Sequence, residues 1–364
     1  MIRFCTRCTI STMRPRITFD AEGVCSACRF AESNATTNWT ARENELKRLC
    51  DWHRSNNGSF DVIVPVSGGK DGGFVAHQLR TVYGMTPLCV TWAPLLPTDI
   101  GRQNLDAFVA HGFDVIQGRP NGQTTRTLAR LSFQHMGDPF LPFIYGQTNF
   151  PLQMAVRYQI PLIMYGEDGE AVYGGMVKEP RAQRRIEDHD AQYFSGKPPQ
   201  FWTAHGLSEA ALQPFQPPPY GAIKANETQI HFFGYYKPWS PQENFYYAVE
   251  NLGFTPNPER TIGTWSKYSS LDDVLDFLHY HMAFVKFGIG RATSDSAQEI
   301  RDGRITREEG IALVKKFDGE FSDYYWHRAR WYMDITDKEG REIINKWKAP
   351  EIWDGQDLKY AVWE

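Results

Sequence analysis

The segment Phe60–Gly73, with the sequence FDVIVPVSGGKDGG, constrains the fold of this chain more than any other. An apolar run rich in β-branched residues ends in a Ser-Gly-Gly-Lys-Asp turn, and the residues after the turn have helical spacing. A buried strand that runs through glycines into a helix N-terminus forms an anion cradle, because free backbone N–H groups and the helix dipole favour negative charge there. The sequence therefore predicts a phosphate-binding turn, to which Ser67 adds a hydroxyl donor and Lys70 a positive charge.

The spacing of this turn excludes two common nucleotide-binding motifs. A Walker A loop requires Gly-x-x-x-x-Gly-Lys-Ser/Thr and a dinucleotide fingerprint requires Gly-x-Gly-x-x-Gly, and neither pattern is present. The turn instead resembles the pyrophosphate loop of enzymes that split ATP into AMP and pyrophosphate. The resemblance implies ATP as a cofactor and an α/β fold of the adenine nucleotide alpha-hydrolase type. The expected nucleotide-binding residues are Ser67, Gly68, Gly69, Lys70, Asp71 and Gly72.

The cysteines predict a metal site near the N-terminus. Two Cys-x-x-Cys pairs are separated by sixteen residues, which is a spacing typical of a four-thiolate structural zinc site. The expected ligands are Cys5, Cys8, Cys25 and Cys28. A redox pair or two disulfides are the alternatives. Because four protein ligands leave no open position for catalysis, we expect the metal to supply folding energy to a module too small to bury much core. Cys50 and Cys89 are expected to be small buried hydrophobes.

Composition narrows the class of partner and the compartment. The 364 residues carry a formal net charge of −4 and contain no run of Lys and Arg, which argues against nucleic acid as the main partner. We see no apolar stretch of the length that a membrane span needs and no apolar signal core at the N-terminus. A cytoplasmic location is therefore expected, where thiols stay reduced and Cys pairs more often bind metal than form disulfides.

Alternating strand and helix patterns predict a doubly wound parallel sheet. The strands are expected at 60–66, 87–92, 113–117 and 160–165. The helices between them are expected at 72–83, 99–111, 122–136 and 149–159. Ligands bind beyond the carboxyl ends of strands in such sheets. The segments expected there are 67–72, 92–99 and 166–170.

Three regions follow from these patterns. We expect a zinc-knuckle module at 1–35, an ATP-binding α/β domain at 36–240 with a loop-rich insertion from about 170, and a helical substrate or partner region at 241–364. Further helices are expected at 38–54, 241–252, 270–284, 294–302, 306–317 and 319–333. Thr306–Glu309 has the pattern of a capping box that opens its helix.

A third segment makes the resemblance more specific. Together with the cysteine knuckle and the pyrophosphate loop, the segment Phe284–Glu309, which contains Lys-Phe-Gly-Ile-Gly-Arg-Ala-Thr-Ser-Asp, resembles the N-acetyl sugar amidotransferases of bacterial surface-polysaccharide biosynthesis. The resemblance covers nearly the whole chain. The loop departs from the family pattern at Gly72, where the family usually has Ser. This change removes one hydroxyl donor but leaves the backbone N–H group in place.

The resemblance implies a reaction and its participants. ATP would adenylate the oxygen of a sugar acetamido group, and ammonia would then displace AMP to leave an acetamidino group. The ammonia would come from a separate glutaminase subunit, which acts with a cyclase-like companion. The sugar would be a UDP-linked diacetamido uronic acid or a nonulosonic acid, used for lipopolysaccharide O-antigen or a related surface glycan.

The charged residues near the loop have several candidate roles. Asp71 is expected either as the carboxylate at the helix N-cap or as a magnesium ligand, since hard cations favour carboxylate and phosphate oxygens. Lys70 would offset phosphate charge or point away from the nucleotide. Glu167 and Asp168, at the end of the fourth strand, would orient ammonia, accept its proton or hold magnesium, unless they belong to a solvated loop.

The third segment supplies candidate substrate-binding residues. Lys286, Arg291 and Asp295 lie in a glycine-containing stretch just before a predicted helix. A sugar carboxylate requires a cation, and Arg offers a bidentate fork. A surface ion pair is the alternative interpretation of these three residues.

Two other functions are compatible with the sequence. The first is a tRNA-modifying enzyme of the same superfamily, of the thiolation type, and the net negative charge counts against it. The second is a non-enzymatic zinc-knuckle adaptor, which the intact phosphate loop disfavours.

Overall fold

The computed structural model describes residues 2–55, 57–167, 169–175, 182–184, 186, 195–355 and 357–358. Five strands form its central sheet: β1 Val62–Pro65, β2 Pro87–Trp92, β3 Val115–Gly118, β4 Leu162–Tyr165 and β5 Gln229–Phe232. All neighbouring strands are parallel, in the order β3-β2-β1-β4-β5. The predicted doubly wound parallel α/β fold is therefore confirmed. A small antiparallel pair, β6 Trp353–Asp354 and β7 Asp357–Leu358, lies near the C-terminus.

Helices flank the sheet and fill the C-terminal region. The first seven are α1 Ser26–Asn34, α2 Trp39–His53, α3 Lys70–Thr81, α4 Asp99–Ala110, α5 Gly122–Met136, α6 Leu141–Tyr158 and α7 Gly169–Tyr173. Three short ones follow, α8 Glu209–Leu212, α9 Tyr220–Ala225 and α10 Phe233–Tyr236, together with 3-10 turns at Pro199–His205 and Gln213–Phe215. The last six are α11 Pro241–Leu252, α12 Leu275–Phe287, α13 Arg291–Arg301, α14 Arg307–Phe317, α15 Asp323–Met333 and α16 Asp337–Lys346. None of the described helices is long and apolar enough to cross a membrane.

Several elements differ from the sequence predictions, among them α1, for which no helix was predicted. Strand β5 falls in the stretch that was expected to be a loop-rich insertion, and its four residues include a buried His231, so no apolar run marks it. Helix α6 begins at Leu141 rather than at 149. Pro142 lies in its first turn, where a proline is compatible with helix because the N–H group it lacks would have no partner within the helix. Helix α16 was not predicted. The capping box of Thr336 and Glu339 that opens α16 is the same signal that correctly predicted α14.

The sheet separates two apolar clusters. Ile63 packs in the cluster on one face, whereas Val62 and Val64 pack in the cluster on the other, as expected for a parallel strand covered on both sides. The C-terminal helices contribute to both clusters, with Leu275 in the first and Leu252 in the second. The chain after β5 therefore packs on the sheet and reaches its carboxyl edge. The three domain boundaries given above stay a prediction.

Helix α6 approaches β2 so closely that a glycine is needed between them. A Cβ atom at Gly146 would lie 2.2 Å from atoms of the Trp92 ring, and Trp92 is 5 % exposed. We predict that Gly146→Ala lowers the free energy of unfolding by about 1–3 kcal/mol, because the indole ring must move within a packed core. Urea-induced unfolding followed by circular dichroism measures this change.

Gly122→Ala is the matched control for this prediction. Gly122 is the first residue of α5, and a Cβ atom there has no neighbour within 4 Å. This variant should be neutral or more stable than the wild type by about 0.4–1 kcal/mol. Equal stability of the two variants would contradict the packing described for α6 on β2.

Candidate active site

The predicted phosphate loop lies at the carboxyl end of β1 and at the N-terminus of α3. Gly69 is the N-cap of α3 and Lys70 is its first residue. Gly68 has a φ of +83°, and a Cβ atom there would lie 2.6 Å from the backbone nitrogen of Leu105 in α4. Both the conformation and the close approach of α4 therefore require glycine at this position.

Gly72 has a steric reason to lack a side chain. A Cβ atom at this position would lie 2.7 Å from the carbonyl oxygen of Pro65 and 3.0 Å from the Cα atom of Val66. The first turn of α3 therefore lies directly on the end of β1. A serine at this position, as the resemblance would lead one to expect, would crowd this contact between helix and strand.

Lys70 and Asp71 are held in place by residues far away in the sequence. Their side chains form an ion pair with each other, and the Lys70 ammonium lies 5.4 Å from the centroid of the Tyr268 ring. The Asn244 side-chain amide donates a hydrogen bond of 2.9 Å to Asp71 Oδ1. Asn244 and Tyr268 were missed by the sequence analysis, because only the folded chain places α11 and the loop before α12 beside the phosphate loop.

Glu167 lines one cavity together with residues of the phosphate loop. This cavity has a volume of about 130 Å³, and its lining includes Lys70, Asp71 and Glu167. Burial raises the pKa of Glu167, and the negative charge of Asp71 raises it further. A carboxylate with a raised pKa is a better proton acceptor than an ordinary one. Asp168 lies outside the described residues.

Helix α13 contributes Arg291 and Asp295 to the lining of the same cavity. Arg291 Nε lies 3.0 Å from Asp295 Oδ1, and the Arg291 guanidinium lies 4.4 Å from the centroid of the Tyr280 ring. Asp295 Oδ2 accepts a hydrogen bond of 2.8 Å from the Thr264 hydroxyl. The fold thus brings the phosphate loop, Glu167, Arg291 and Asp295 around one space.

Lys286 does not reach this space. Its ammonium donates a hydrogen bond of 3.1 Å to the carbonyl oxygen of Met136, at the end of α5. Burial lowers the pKa of Lys286, and the nearby Asp138 carboxylate partly opposes that change. The sequence places Lys286 close to Arg291, but α12 ends at Phe287, so the two side chains belong to different helices. We therefore leave Lys286 out of the site.

Two further cavities border the phosphate loop. One of about 330 Å³ lies beyond the carboxyl ends of β1, β2 and β4. It shares Ser67, Asp71 and Gly72 with the loop, and its apolar and aromatic wall includes Val66, Val90, Trp92, Phe143, Phe150 and Phe232. Such a wall beside a phosphate cradle has the character of a nucleoside pocket.

The second bordering cavity, of about 160 Å³, lies on the α4 side of the loop. It contains Asp272, a residue that the sequence analysis missed. Burial raises the pKa of Asp272 to about 6, the charge of Asp276 adds to the rise, and a hydrogen bond with Ser67 opposes it. A larger cavity of about 710 Å³ lies elsewhere, beside Trp52 and Lys224, and includes none of the loop residues.

The four knuckle cysteines form a buried cluster with the geometry of a metal site. Their Sγ atoms all lie within 4.8 Å of one another, with 3.9 Å between Cys5 and Cys28 and 3.7 Å between Cys8 and Cys25. A tetrahedral zinc ion with bonds of about 2.3 Å separates its sulfur ligands by about 3.8 Å, so the cluster fits such an ion. The backbone N–H groups of Arg7 and Cys25 donate to Cys5 Sγ at 3.3 Å, which orients a thiolate ligand.

The knuckle packs directly against the walls of the candidate site. The Thr9 hydroxyl donates to the Thr293 carbonyl in α13 at 2.9 Å, and the Ser26 hydroxyl donates to the Gly174 carbonyl after α7 at 3.0 Å. Ile289 and Ala297 share an apolar cluster with the cysteines. The knuckle therefore supports both the helix that carries Arg291 and the segment that follows Glu167.

Comparison with known proteins adds one family match. Residues 262–364, which include α12 to α16, match the family model described as LPS biosynthesis protein WbpG-like, C-terminal domain. A comparison with curated proteins finds no significant match.

One solved structure is distantly similar to this chain. The U34-tRNA thiolase NcsA from Methanococcus maripaludis, solved with its [4Fe-4S] cluster, aligns over 77 % of this chain and 82 % of its own, with 11 % sequence identity and a TM-score of 0.33. A likeness at this TM-score supports no conclusion about function. The region 262–364 is therefore similar to a lipopolysaccharide biosynthesis domain, and the fold of the chain stands on its own sheet topology.

Loss of a metal ion held by the four cysteines should loosen the walls of the site. We predict that Cys8→Ser abolishes metal binding and raises amide hydrogen exchange in residues 2–34, 169–175 and 289–301, because the knuckle core contacts the last two segments. Strand β1 and helix α3 should keep their protection. Native mass spectrometry and hydrogen-exchange mass spectrometry measure the two effects.

Cys50→Ala is the control for this experiment. Cys50 is buried in α2 and lies outside the cysteine cluster, so its removal should leave the metal content and the exchange of 289–301 unchanged. A Cys8→Ser protein that lost its metal but kept full protection in 289–301 would contradict the supporting role of the knuckle.

Proposed function

We propose that this protein is an ATP-dependent amidotransferase that converts an acetamido group of a sugar into an acetamidino group, with release of AMP and pyrophosphate. One observation carries the proposal: a phosphate loop, a carboxylate and an arginine line a single cavity. The arginine belongs to the region that matches a lipopolysaccharide biosynthesis model. The site therefore has a nucleotide side and a side suited to a glycan precursor.

The nucleotide side would bind ATP. Backbone N–H groups of the loop and the α3 N-terminus would hold the phosphates, and the strand-end cavity would hold adenosine. Asp71 presents carboxylate oxygens of the kind that Mg²⁺ prefers, and a bound ion would offset the charge of the departing pyrophosphate. Asp71 lines the same cavity as Lys70 of the loop, so it fits this ion.

The chemistry has two steps. The amide oxygen attacks the α-phosphorus of ATP and pyrophosphate leaves, which converts that oxygen into part of a good leaving group. Ammonia then attacks the former carbonyl carbon, and AMP leaves with the oxygen. Lys70 and Arg291 would stabilise the negative charge that develops on phosphate, and Glu167 would accept the proton that the attacking ammonia loses.

The cysteines favour this reaction over thiolation. Cys89 is fully buried within β2 and Cys50 is buried in α2, while the other four cysteines form the knuckle cluster. None of the six lines the cavities that border the loop. The described residues therefore offer no reachable thiol for sulfur transfer, and none for releasing ammonia from glutamine.

The partners and the metal belong to the same proposal. Ammonia would come from a separate glutaminase subunit with a cyclase-like companion. The acceptor would be a UDP-linked diacetamido uronic acid or a nonulosonic acid, destined for a lipopolysaccharide or a related glycan. The four-thiolate cluster would hold structural zinc, since its sulfur spacing fits a tetrahedral ion.

Asp71 is the residue whose loss should abolish the reaction. We predict that Asp71→Asn lowers AMP and pyrophosphate release by about 100-fold or more, because the carboxylate borders the space where charge develops. The assay supplies ATP, Mg²⁺, ammonium and a panel of UDP-linked diacetamido uronic acids and nonulosonic acids, and mass spectrometry analyses the sugar.

Asp106→Asn serves as the control for Asp71→Asn. Asp106 is an exposed residue of α4 that does not line the site, so the control should turn over as the wild type does. Thermal unfolding checks that both variants are folded. A folded Asp71→Asn protein with full turnover would refute the assigned site.

The raised pKa of Glu167 predicts a specific pH dependence. The base form of Glu167 is present only above its raised pKa, so the rate at constant free ammonia should rise as the pH passes upward through that value. We predict that Glu167→Gln slows the reaction by about 10²–10⁴-fold and removes this rise.

Glu299 offers the matched test of that assignment. It lines the same cavity, and burial raises its pKa to about 7, with a further contribution from Asp302. Glu299→Gln should keep the rise in rate with pH. If Glu299→Gln removed the rise and Glu167→Gln kept it, the base would be Glu299 instead.

A further inference from the structure

A further cavity adjoins the site, and we call it the outer cavity. It has a volume of about 270 Å³. It shares Arg291 and Tyr280 with the cavity of about 130 Å³. It shares Ser270 and Leu271 with the cavity on the α4 side of the loop. A molecule in the outer cavity therefore lies next to the phosphate loop, with Arg291 at the boundary.

Aromatic side chains form one wall of the outer cavity. They are Phe277 and Tyr280 of α12 and Tyr324 and Tyr325 of α15. The Tyr325 ring centroid lies 5.8 Å from that of Phe277 and 5.3 Å from that of Tyr324, and Tyr324 is 65 % exposed at the rim. An open wall of this kind presents ring faces to a ligand and hydroxyl groups to its polar substituents.

The charges of the outer cavity leave one cation available to a ligand. Arg291 is already paired with Asp295. Arg328 of α15 donates a hydrogen bond of 3.4 Å to the Tyr324 hydroxyl and lies 5.7 Å from the centroid of the Tyr324 ring, and none of the ion pairs among the described residues includes it. A guanidinium that forms no ion pair is suited to bind an anionic group of a ligand.

The remaining wall is polar. Asp99, Asp273 and Asp276 line it, but Asp99 is paired with Arg102, and Asp273 accepts hydrogen bonds from the backbone N–H groups of Leu96 and Leu275. Asp276, together with the neighbouring Thr98, Asn257 and Thr261, offers acceptors and donors to hydroxyl groups. The nucleoside-type cavity at the strand ends, in contrast, has a largely apolar and aromatic wall and shares no lining residue with the outer cavity. The outer cavity thus combines ring faces, hydroxyl partners and a cation, which suits an anionic sugar better than a second purine.

We infer that the outer cavity binds the sugar of the acceptor, with Tyr324 and Tyr325 against the ring and Arg328 paired with an anionic group. That group is the carboxylate of the sugar or the diphosphate of a sugar nucleotide. The inference rests on the function proposed above and assigns a binding site for its acceptor. The acetamido group would extend past Arg291 and Tyr280 towards Asp71 and Glu167.

Binding in the absence of ATP tests this assignment. The probes are UDP-N-acetylglucosaminuronic acid and UDP-N-acetylglucosamine, which differ only by a carboxylate in place of a hydroxymethyl group. Isothermal titration calorimetry should show that the wild type binds the uronate more tightly than the neutral sugar, by a factor of about ten or more. Arg328→Met should remove this preference while leaving the affinity for the neutral sugar unchanged.

Arg330→Met is the matched control, because Arg330 lies on the same helix and does not line the outer cavity. It should keep the preference for the uronate. If Arg328→Met weakened both probes equally by about tenfold or more, Arg328 would bind the diphosphate, which still supports an anion subsite. Wild-type affinity for both probes in Arg328→Met, or no binding of either probe by the wild type, would overturn the inference.

Turnover separates this inference from the proposed function. Should the wild type bind the probes with the expected Arg328 dependence, yet release no AMP with any acetamido sugar and ammonium, the reaction would be wrong and the sugar site would stand. Should AMP release depend on the sugar while Arg328→Met leaves its KM unchanged, the reaction would stand and the outer cavity would not be the sugar site.

Discussion

The close approach of backbone segments at two glycines determines the geometry of the whole candidate site. Gly68 lets α4 pack against the phosphate loop, and Gly72 lets the first turn of α3 lie on the end of β1. Because the N-terminus of α3 is fixed in this way, its free N–H groups converge on the open edge of the sheet. Lys70 and Asp71, the first two residues of α3, then point into the cavities that border the loop.

The wall of the site that α13 forms depends on contacts between residues that are far apart in the sequence. Asp318 accepts hydrogen bonds from the backbone N–H groups of Gly290 and Thr293, at 3.1 and 3.2 Å, and so caps the N-terminus of α13. A Cβ atom at Gly290 would lie 2.6 Å from an Asp318 oxygen, so this cap requires glycine. The cap and the cysteine knuckle together fix Arg291, the first residue of α13, at the boundary between the cavity of about 130 Å³ and the outer cavity.

Local spacing predicted the parts of the site that lie close together in the chain. The phosphate loop and the two cysteine pairs are short motifs, so the strand, the turn and the clustered sulfur atoms were visible before the fold was known. Asn244, Asp272 and Arg328 could not be found in this way, because nothing in their own segments marks them and only tertiary packing brings them to the loop or to the outer cavity. Lys286 shows the converse error, since a residue near Arg291 in the sequence turned out to face α5.

The central claim is that the oxygen of a sugar amide becomes adenylated at the space between Asp71 and Arg291. The most direct test uses an acceptor sugar whose acetamido oxygen is labelled with ¹⁸O, together with ATP and ammonium, and measures the AMP by mass spectrometry. An adenylated amide predicts one ¹⁸O atom in the phosphate of each AMP released with an acetamidino sugar. AMP that forms with the sugar product but carries no ¹⁸O would contradict this account.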